Sequence, residues 1–204
     1  MNIFVSQRVI KISKINESRD CLDQRITKIL NYCNINPIFI PNNLIQKEDN
    51  MKLIKFLKSF NSKGLLLTGG DNFGDFKDRD KTEFATISYS IKKEIPILGI
   101  CRGMQMIAKF FGKNLKKINK HVGKKHEIQS LIHKNKFPKK VNSYHNFTIS
   151  SCPSDFDVAA KAMDGSIEAI KHRFLKIDGW MWHPERENPF IKEDIKNIKK
   201  IFNV

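Results

Sequence analysis

Apolar positions along the chain fall into two rhythms, short solid runs and stripes at helical spacing. Residues 3–12 open with Ile3, Phe4 and Val5, followed by Val9 and Ile10, and predict a first strand. Residues 19–32 set Leu22, Ile26, Ile29 and Leu30 on one stripe and predict a helix. Pro37 and Pro41 bound a short strand, Ile38-Phe39-Ile40, and Met51, Ile54, Phe56, Leu57 and Phe60 then fit a second helix. Residues 64–68 read as a buried strand running into Gly69-Gly70. Asp80, with Glu83 three places on, predicts a capping box that opens a third helix. Residues 95–100 form the next buried run and residues 103–111 the next helix. Beyond residue 112 come shorter β-like pieces at 127–132, 147–150, 167–172 and 175–182, and a closing helix over 189–201. Buried strands alternating with amphipathic helices predict an α/β fold with a mostly parallel central sheet flanked by helices and a small antiparallel extension. With no internal repeat or low-complexity linker, residues 1–204 read as one domain.

Composition adds bounds. The chain is 40% hydrophobic and 28% charged, which is globular and excludes a disordered or collagen-like chain. No apolar run approaches the roughly 20 residues of a bilayer span, and residues 1–14 carry no secretion pattern. Cys21, Cys33, Cys101 and Cys152 stand apart, without a CxxC pair, so neither zinc nor a disulfide framework is indicated. The expectation is a soluble protein of the cytoplasm. The net charge of +16 is less ordinary. Thirty of the 37 basic residues are lysine, the weaker choice for bidentate phosphate or base contacts. Eleven of them lie within residues 109–140 against one acid, Glu127. Without an accompanying nucleic-acid motif, that stretch reads as a solvated face or as an electropositive mouth over an anionic small molecule. Nucleic acid and membrane are not the expected partners.

Three short motifs carry chemistry. Gly99-Ile100-Cys101-Arg102-Gly103 stands where a buried strand meets a helix, the setting of a nucleophile elbow. Small neighbours are needed there because the turn is tight, and Cys101 would sit at a helix N-terminus that favours a thiolate. His183-Pro184-Glu185 supplies an imidazole with a carboxylate two residues away, on the same side of an extended chain, where it can orient the ring. Thr68-Gly69-Gly70-Asp71 ends another buried strand and can offer backbone amides to an oxyanion. The strand carboxyl ends that would hold Gly70 and Cys101 are where open α/β sheets place their ligands.

Together, in this order, the GGD, P-I-L-G-I-C-R-G-M-Q and W-H-P-E segments resemble the class I glutamine amidotransferase-like hydrolases, peptidase family C26, which includes the γ-glutamyl hydrolases. The resemblance runs from the first strand to Glu185 and implies a flavodoxin-like sheet. It also implies Cys101 as nucleophile, His183 as base and acid, Glu185 as orienting carboxylate, and the amides of Gly70 and Arg102 as oxyanion hole. Asn72, Gln105 and the Ser143-Tyr144-His145 segment look like the family's contacts to the γ-glutamyl group. The implied reaction is hydrolysis of a γ-glutamyl amide to L-glutamate, with no metal or organic cofactor.

Within the family, Arg79-Asp80-Lys81-Thr82-Glu83 resembles the R-D-x-x-E of stand-alone hydrolases, although the same residues could simply cap a helix. Asn142-Ser143-Tyr144-His145-Asn146 departs from the S-x-H-H-Q of the polyamine-pathway members, which points away from γ-glutamyl-aminobutyrate. Residues 17–25, E-S-R-D-C-L-D-Q-R, look like the opening of hydrolases of surface-polysaccharide synthesis. That likeness implies an anionic γ-glutamyl-CDP-amidate-type substrate in capsule phosphoramidate synthesis. Two alternatives remain at this level: a glutaminase subunit delivering ammonia to a separate synthetase, and a non-enzymatic polyanion-binding protein. His121, His126, His133, His145 and His172 lack i, i+4 spacing and near carboxylates in sequence, so no metal site is expected. Cys21, Cys33, Cys152, Trp180 and Trp182 read as packing residues.

Overall fold

The computed structural model describes residues 1–45, 49–132 and 136–204. The chain begins with β1 (Asn2–Ser6), β2 (Arg8–Ile12), β3 (Glu17–Cys21), α1 (Gln24–Tyr32) and β4 (Asn36–Ile40). It continues through α2 (Met51–Lys58), β5 (Leu65–Leu67), α3 (Lys77–Lys92), β6 (Ile97–Ile100) and α4 (Arg102–Phe110). Six short strands follow: β7 (Leu115–Lys117), β8 (Val122–Ser130), β9 (Lys140–Tyr144), β10 (Phe147–Ile149), β11 (Phe156–Ala162) and β12 (Ile167–His172). Strand β13 (Ile177–Trp180) and helix α5 (Lys192–Phe202) complete it.

One nine-stranded sheet has the order β4-β1-β5-β6-β13-β12-β11-β8-β9. Its first five strands are parallel, and from β12 onward the pairing is antiparallel. Alternation along the parallel strands splits the core between two faces. Ile3, Val5 and Leu66 pack with Ile26, Ile29 and Leu30 of α1 and with Ile198 and Phe202 of α5. Phe4, Leu65 and Leu67 pack on the other side with Leu57 of α2, Ile87 of α3 and Met104 and Ile107 of α4. The mostly parallel sheet, flanking helices and antiparallel extension agree with the sequence reading. Trp180 and Trp182 are buried in the first of these cores, stacked with ring centroids 5.3 Å apart. No helix among the described residues is long and apolar enough to cross a membrane.

Three boundaries differ from the pattern-based expectation. The run at 3–12 breaks at Gln7: β1 enters the central sheet, while β2, with only Val9 buried, pairs with β3 as a separate hairpin. The helix expected over 19–32 begins only at Gln24, because the Asp23 side chain accepts the Arg25 amide at 3.0 Å and caps it. Upstream, Asp20 is extended and its carboxylate accepts from the Asn42 amide and side chain at 3.0 and 2.7 Å. The third helix starts at Lys77, one turn before Asp80, so Asp80 and Glu83 do not form its capping box.

Candidate active site

The sheet's parallel strands deliver the chemistry-bearing residues to their carboxyl ends. Strand β6 stops at Ile100, and Cys101 turns the chain into α4 with φ 53° and ψ −108°, a conformation L-residues avoid. The turn is held shut on both sides. A Cβ on Gly99 would meet the Gly103 carbonyl carbon at 2.5 Å, and one on Gly103 would run into the Leu67 carbonyl of β5. The Cys101 amide donates to the Trp180 carbonyl at 2.6 Å, tying the elbow to β13. Cys101 therefore stands buried at the head of α4, beside amides without intrahelical acceptors.

His183 follows β13 and is also buried. Its Nδ1 lies 2.6 Å from Glu185 Oε1, which leaves Nε2 to Cys101, the ring's other hydrogen-bond partner. Burial pushes the imidazolium down, yet the negative charges of Cys101 and Glu185 and their hydrogen bonds outweigh it and raise His183 from 6.5 to about 9. The resulting stabilisation is complete below about 6.5 and is lost as pH rises through about 9. The backbone of His183 is fixed by one side chain to which the sequence reading assigns no role. Asn142 of β9 accepts the His183 amide at 2.9 Å and donates to its carbonyl at 2.8 Å. The available signal is strand alternation, which sets Asn142 and Tyr144 on one side. Asn142→Ala is expected to lower kcat by about 10- to 100-fold with little change in KM, because the imidazole loses its anchor; steady-state kinetics would check it.

The Gly69-Gly70 turn lies against this pair. A Cβ on Gly69 would come within 2.6 Å of His183 Cε1 and 3.5 Å of Cys101 Cβ. Gly70 has φ +121°, and a Cβ there would press on Arg79 and Arg8. Behind the turn, the fully buried Arg79 donates to the Thr68 and Gly69 carbonyls at 2.8 and 3.1 Å and to Asp71 at 3.0 Å. The same guanidinium pairs with Glu83 at 3.0 Å, and Glu83 and Asp80 both pair with Arg102 of the elbow. Burial raises Glu83, but Arg102 and Arg79 outweigh it and hold the carboxylate below its usual range. The R-D-x-x-E segment thus joins the glycine turn to the elbow by a buried ion network instead of capping a helix.

The remaining candidates divide. Tyr144 packs edge-on to His183 with centroids 5.8 Å apart, and the Arg186 guanidinium lies over the Tyr144 ring, 4.3 Å from its centroid. Gln105 is buried in α4 and donates to the Phe147 carbonyl at 2.8 Å. Asn72 is exposed on the loop after the glycine turn, where its amide donates to Asp75 at 2.9 Å. The side chains of Ser143 and His145 leave the Cys101–His183 side: Ser143 donates to the His121 carbonyl, and His145 Nε2 lies 3.3 Å from His121 Nδ1. Cations line the region. Arg8 Nε is buried without a hydrogen bond beside Gly70, and Arg25 at the head of α1 acts electrostatically on Glu185 and Tyr144. One expectation is corrected: His121, His126 and His145 do have carboxylate neighbours, Asp164 and Glu168, brought in from β12 and the turn before it. Both acids are far from these histidines along the chain, so spacing could not reveal them. His172 accepts the Phe174 and Leu175 amides at 3.0 Å, and His133 lies outside the described residues.

Residues 16–196 match the family described as Glutamine amidotransferase class-I. The chain is 34% identical to a gamma-glutamyl-CDP-amidate hydrolase of Campylobacter jejuni subsp. jejuni serotype O:2, over 100% of this chain and 98% of that one. It is 30% identical to the glutamine-hydrolysing subunit of a GMP synthase from Pyrococcus abyssi, over 87% of this chain and 91% of that one. In fold it resembles the crystal structure of a putative GMP synthase subunit from Thermoplasma acidophilum, with TM-score 0.75 and 23% identity over 100% and 94% of the two chains. With likeness of sequence and of fold both running nearly end to end, this chain belongs to the class I glutamine amidotransferase family, as a glutamine amidotransferase-like hydrolase.

Proposed function

We propose that this protein is a cysteine hydrolase that cleaves a γ-glutamyl amide and releases L-glutamate. The observation that carries this reading is the His183–Glu185 pair facing a cysteine held in a strained elbow. Cys101 sulfur attacks the γ-carbonyl carbon, and the charge that develops on oxygen is met by the amides of Gly70 and Arg102. His183 gives its proton to the leaving nitrogen, the C–N bond breaks, and a γ-glutamyl thioester remains on Cys101. His183 then takes a proton from water, the hydroxide adds to the thioester carbonyl, and the C–S bond breaks to free glutamate. Glu185 keeps the ring oriented and stabilises its charged form throughout.

The leaving group we propose is an anionic nucleotide amidate of the γ-glutamyl-CDP-amidate type, within capsule phosphoramidate synthesis. Its support is the full-length likeness to the Campylobacter hydrolase and the guanidinium groups of Arg8, Arg25 and Arg186 around the site. Glutamate release from glutamine, a γ-glutamyl peptide and γ-glutamyl-CDP-amidate tests it, with strong preference for the nucleotide expected and equal rates on all three contradicting it. A second reading, a glutaminase subunit feeding ammonia to a synthetase, is favoured by the likeness to the Pyrococcus GMP synthase component. Turnover of glutamine alone, stimulated by an added synthetase, would select it.

Because His183 must hold its proton to serve the leaving group, kcat/KM is expected to fall as pH rises through about 9. Glu185→Gln removes one of the charges that raise His183, so the alkaline limb should move to lower pH. A pH–rate profile of both proteins checks this.

A further inference from the structure

A second cluster of titratable side chains lies on the opposite side of β9 from His183, and the mechanism does not use it. His121 Nδ1, His145 Nε2 and Glu168 Oε1 face one another, with separations of 3.3, 3.6 and 3.6 Å. All three residues are buried. The outward nitrogens fix the tautomers. His145 Nδ1 lies 3.1 Å from the Phe147 carbonyl, which can only accept, so the proton of a neutral ring sits there and the Nε2 lone pair points inward. His121 Nε2 lies 2.8 Å from Asp164 Oδ2, a carboxylate acceptor, so the Nδ1 lone pair also points inward. Two lone pairs and a carboxylate oxygen converging in a buried space repel unless a positive charge lies between them. Their spacings match the edges of a zinc tetrahedron, about 3.3 Å for ligand bonds near 2.0–2.1 Å. Asp164 and the Phe147 carbonyl hold the rings from behind, as outer partners of metal-bound histidines do. His126 Nε2 and Glu168 Oε2, 3.4 Å apart, are both buried without a hydrogen bond.

We propose that His121, His145 and Glu168 bind one divalent transition cation of the zinc class, with His126 as the fourth donor. The cation braces the strand behind the catalytic histidine. The Phe147 carbonyl receives Gln105 of the elbow helix as well as His145, and Asn142 on the opposite side of β9 grips His183. Its role is positional, and it stands independently of the γ-glutamyl reading.

The test is calorimetric titration of the chelator-treated full chain with Zn2+ and with Mg2+, in the Cys101→Ala background so that the thiol–imidazole pair cannot take the metal. One equivalent of Zn2+, a raised Tm and no response to Mg2+ are expected. X-ray absorption should report a nitrogen and oxygen shell at about 2.0 Å with imidazole scattering. Glu168→Gln and His121→Asn should each weaken binding by more than about 100-fold, and Asp164→Asn, whose side chain is half exposed, by about 10-fold without loss of fold. No zinc binding, or binding that all three substitutions leave unchanged, would overturn the proposal and leave a shared proton as the charge between the rings.

Discussion

Cys101→Ala is expected to reduce kcat for glutamate release by at least about 10^4-fold while the protein unfolds within a few degrees of its original Tm. The kinetic effect is large because the thioester route is lost outright, and His183 and the oxyanion amides alone would have to activate water. The thermal effect is small because the sulfur contributes little burial beyond Cβ, and alanine occupies the same strained backbone. Strain supplies an internal check. At φ 53° and ψ −108°, Cys101→Gly should be at least as stable as Cys101→Ala, since relief of about 1–3 kcal/mol of strain offsets the usual entropic cost of glycine. Kinetics and thermal melts on the two variants together separate the chemical role from the conformational one.

Glu83→Ala should show the largest loss of stability, about 3–5 kcal/mol, because it leaves the buried guanidinium groups of Arg79 and Arg102 sharing only Asp71 and Asp80. For a chain of this size that corresponds to a fall in Tm of about 6–20 °C. Activity should fall with it even at temperatures where the variant is folded, since Arg79 holds the glycine turn and Arg102 the elbow. The pH dependence has a definite sign. Glu83 is held below its ordinary pKa of 4.5, so its contribution is present above that value and is lost as pH falls through the folded one. Urea unfolding of wild type and variant across acid pH would show the two curves converging.

How much of this is legible in the sequence depends on whether a feature is local. The parallel strands are plain because each is buried on both faces and so reads as a solid apolar run, as in Leu65-Leu66-Leu67. The elbow and the H-x-E pair are plain because their geometry is set within five residues. Strand β11 leaves no clear mark because register shifts around Ala160 break the alternation, and Asp157 and Lys161 dilute its pattern. The end of strand β3 reads as helix because Leu22 and Ile26 extend a helical stripe, while the pairing of Glu17–Cys21 with β2 depends on a turn the stripe does not reveal. The roles of Asn142, of the ion network and of the histidine cluster rest on contacts between distant segments. Glu168 reaches His121 only because antiparallel strands fold back on one another, and nothing in their spacing announces it.

The central claim is that the γ-glutamyl group passes through a covalent bond to Cys101. Rapid acid quench during turnover, followed by mass analysis of the peptide that contains residue 101, tests it directly. The expected result is an added glutamyl group on Cys101 that forms and decays at rates consistent with kcat and is absent in Cys101→Ala. Glutamate release without that adduct, and undiminished in Cys101→Ala, would contradict it.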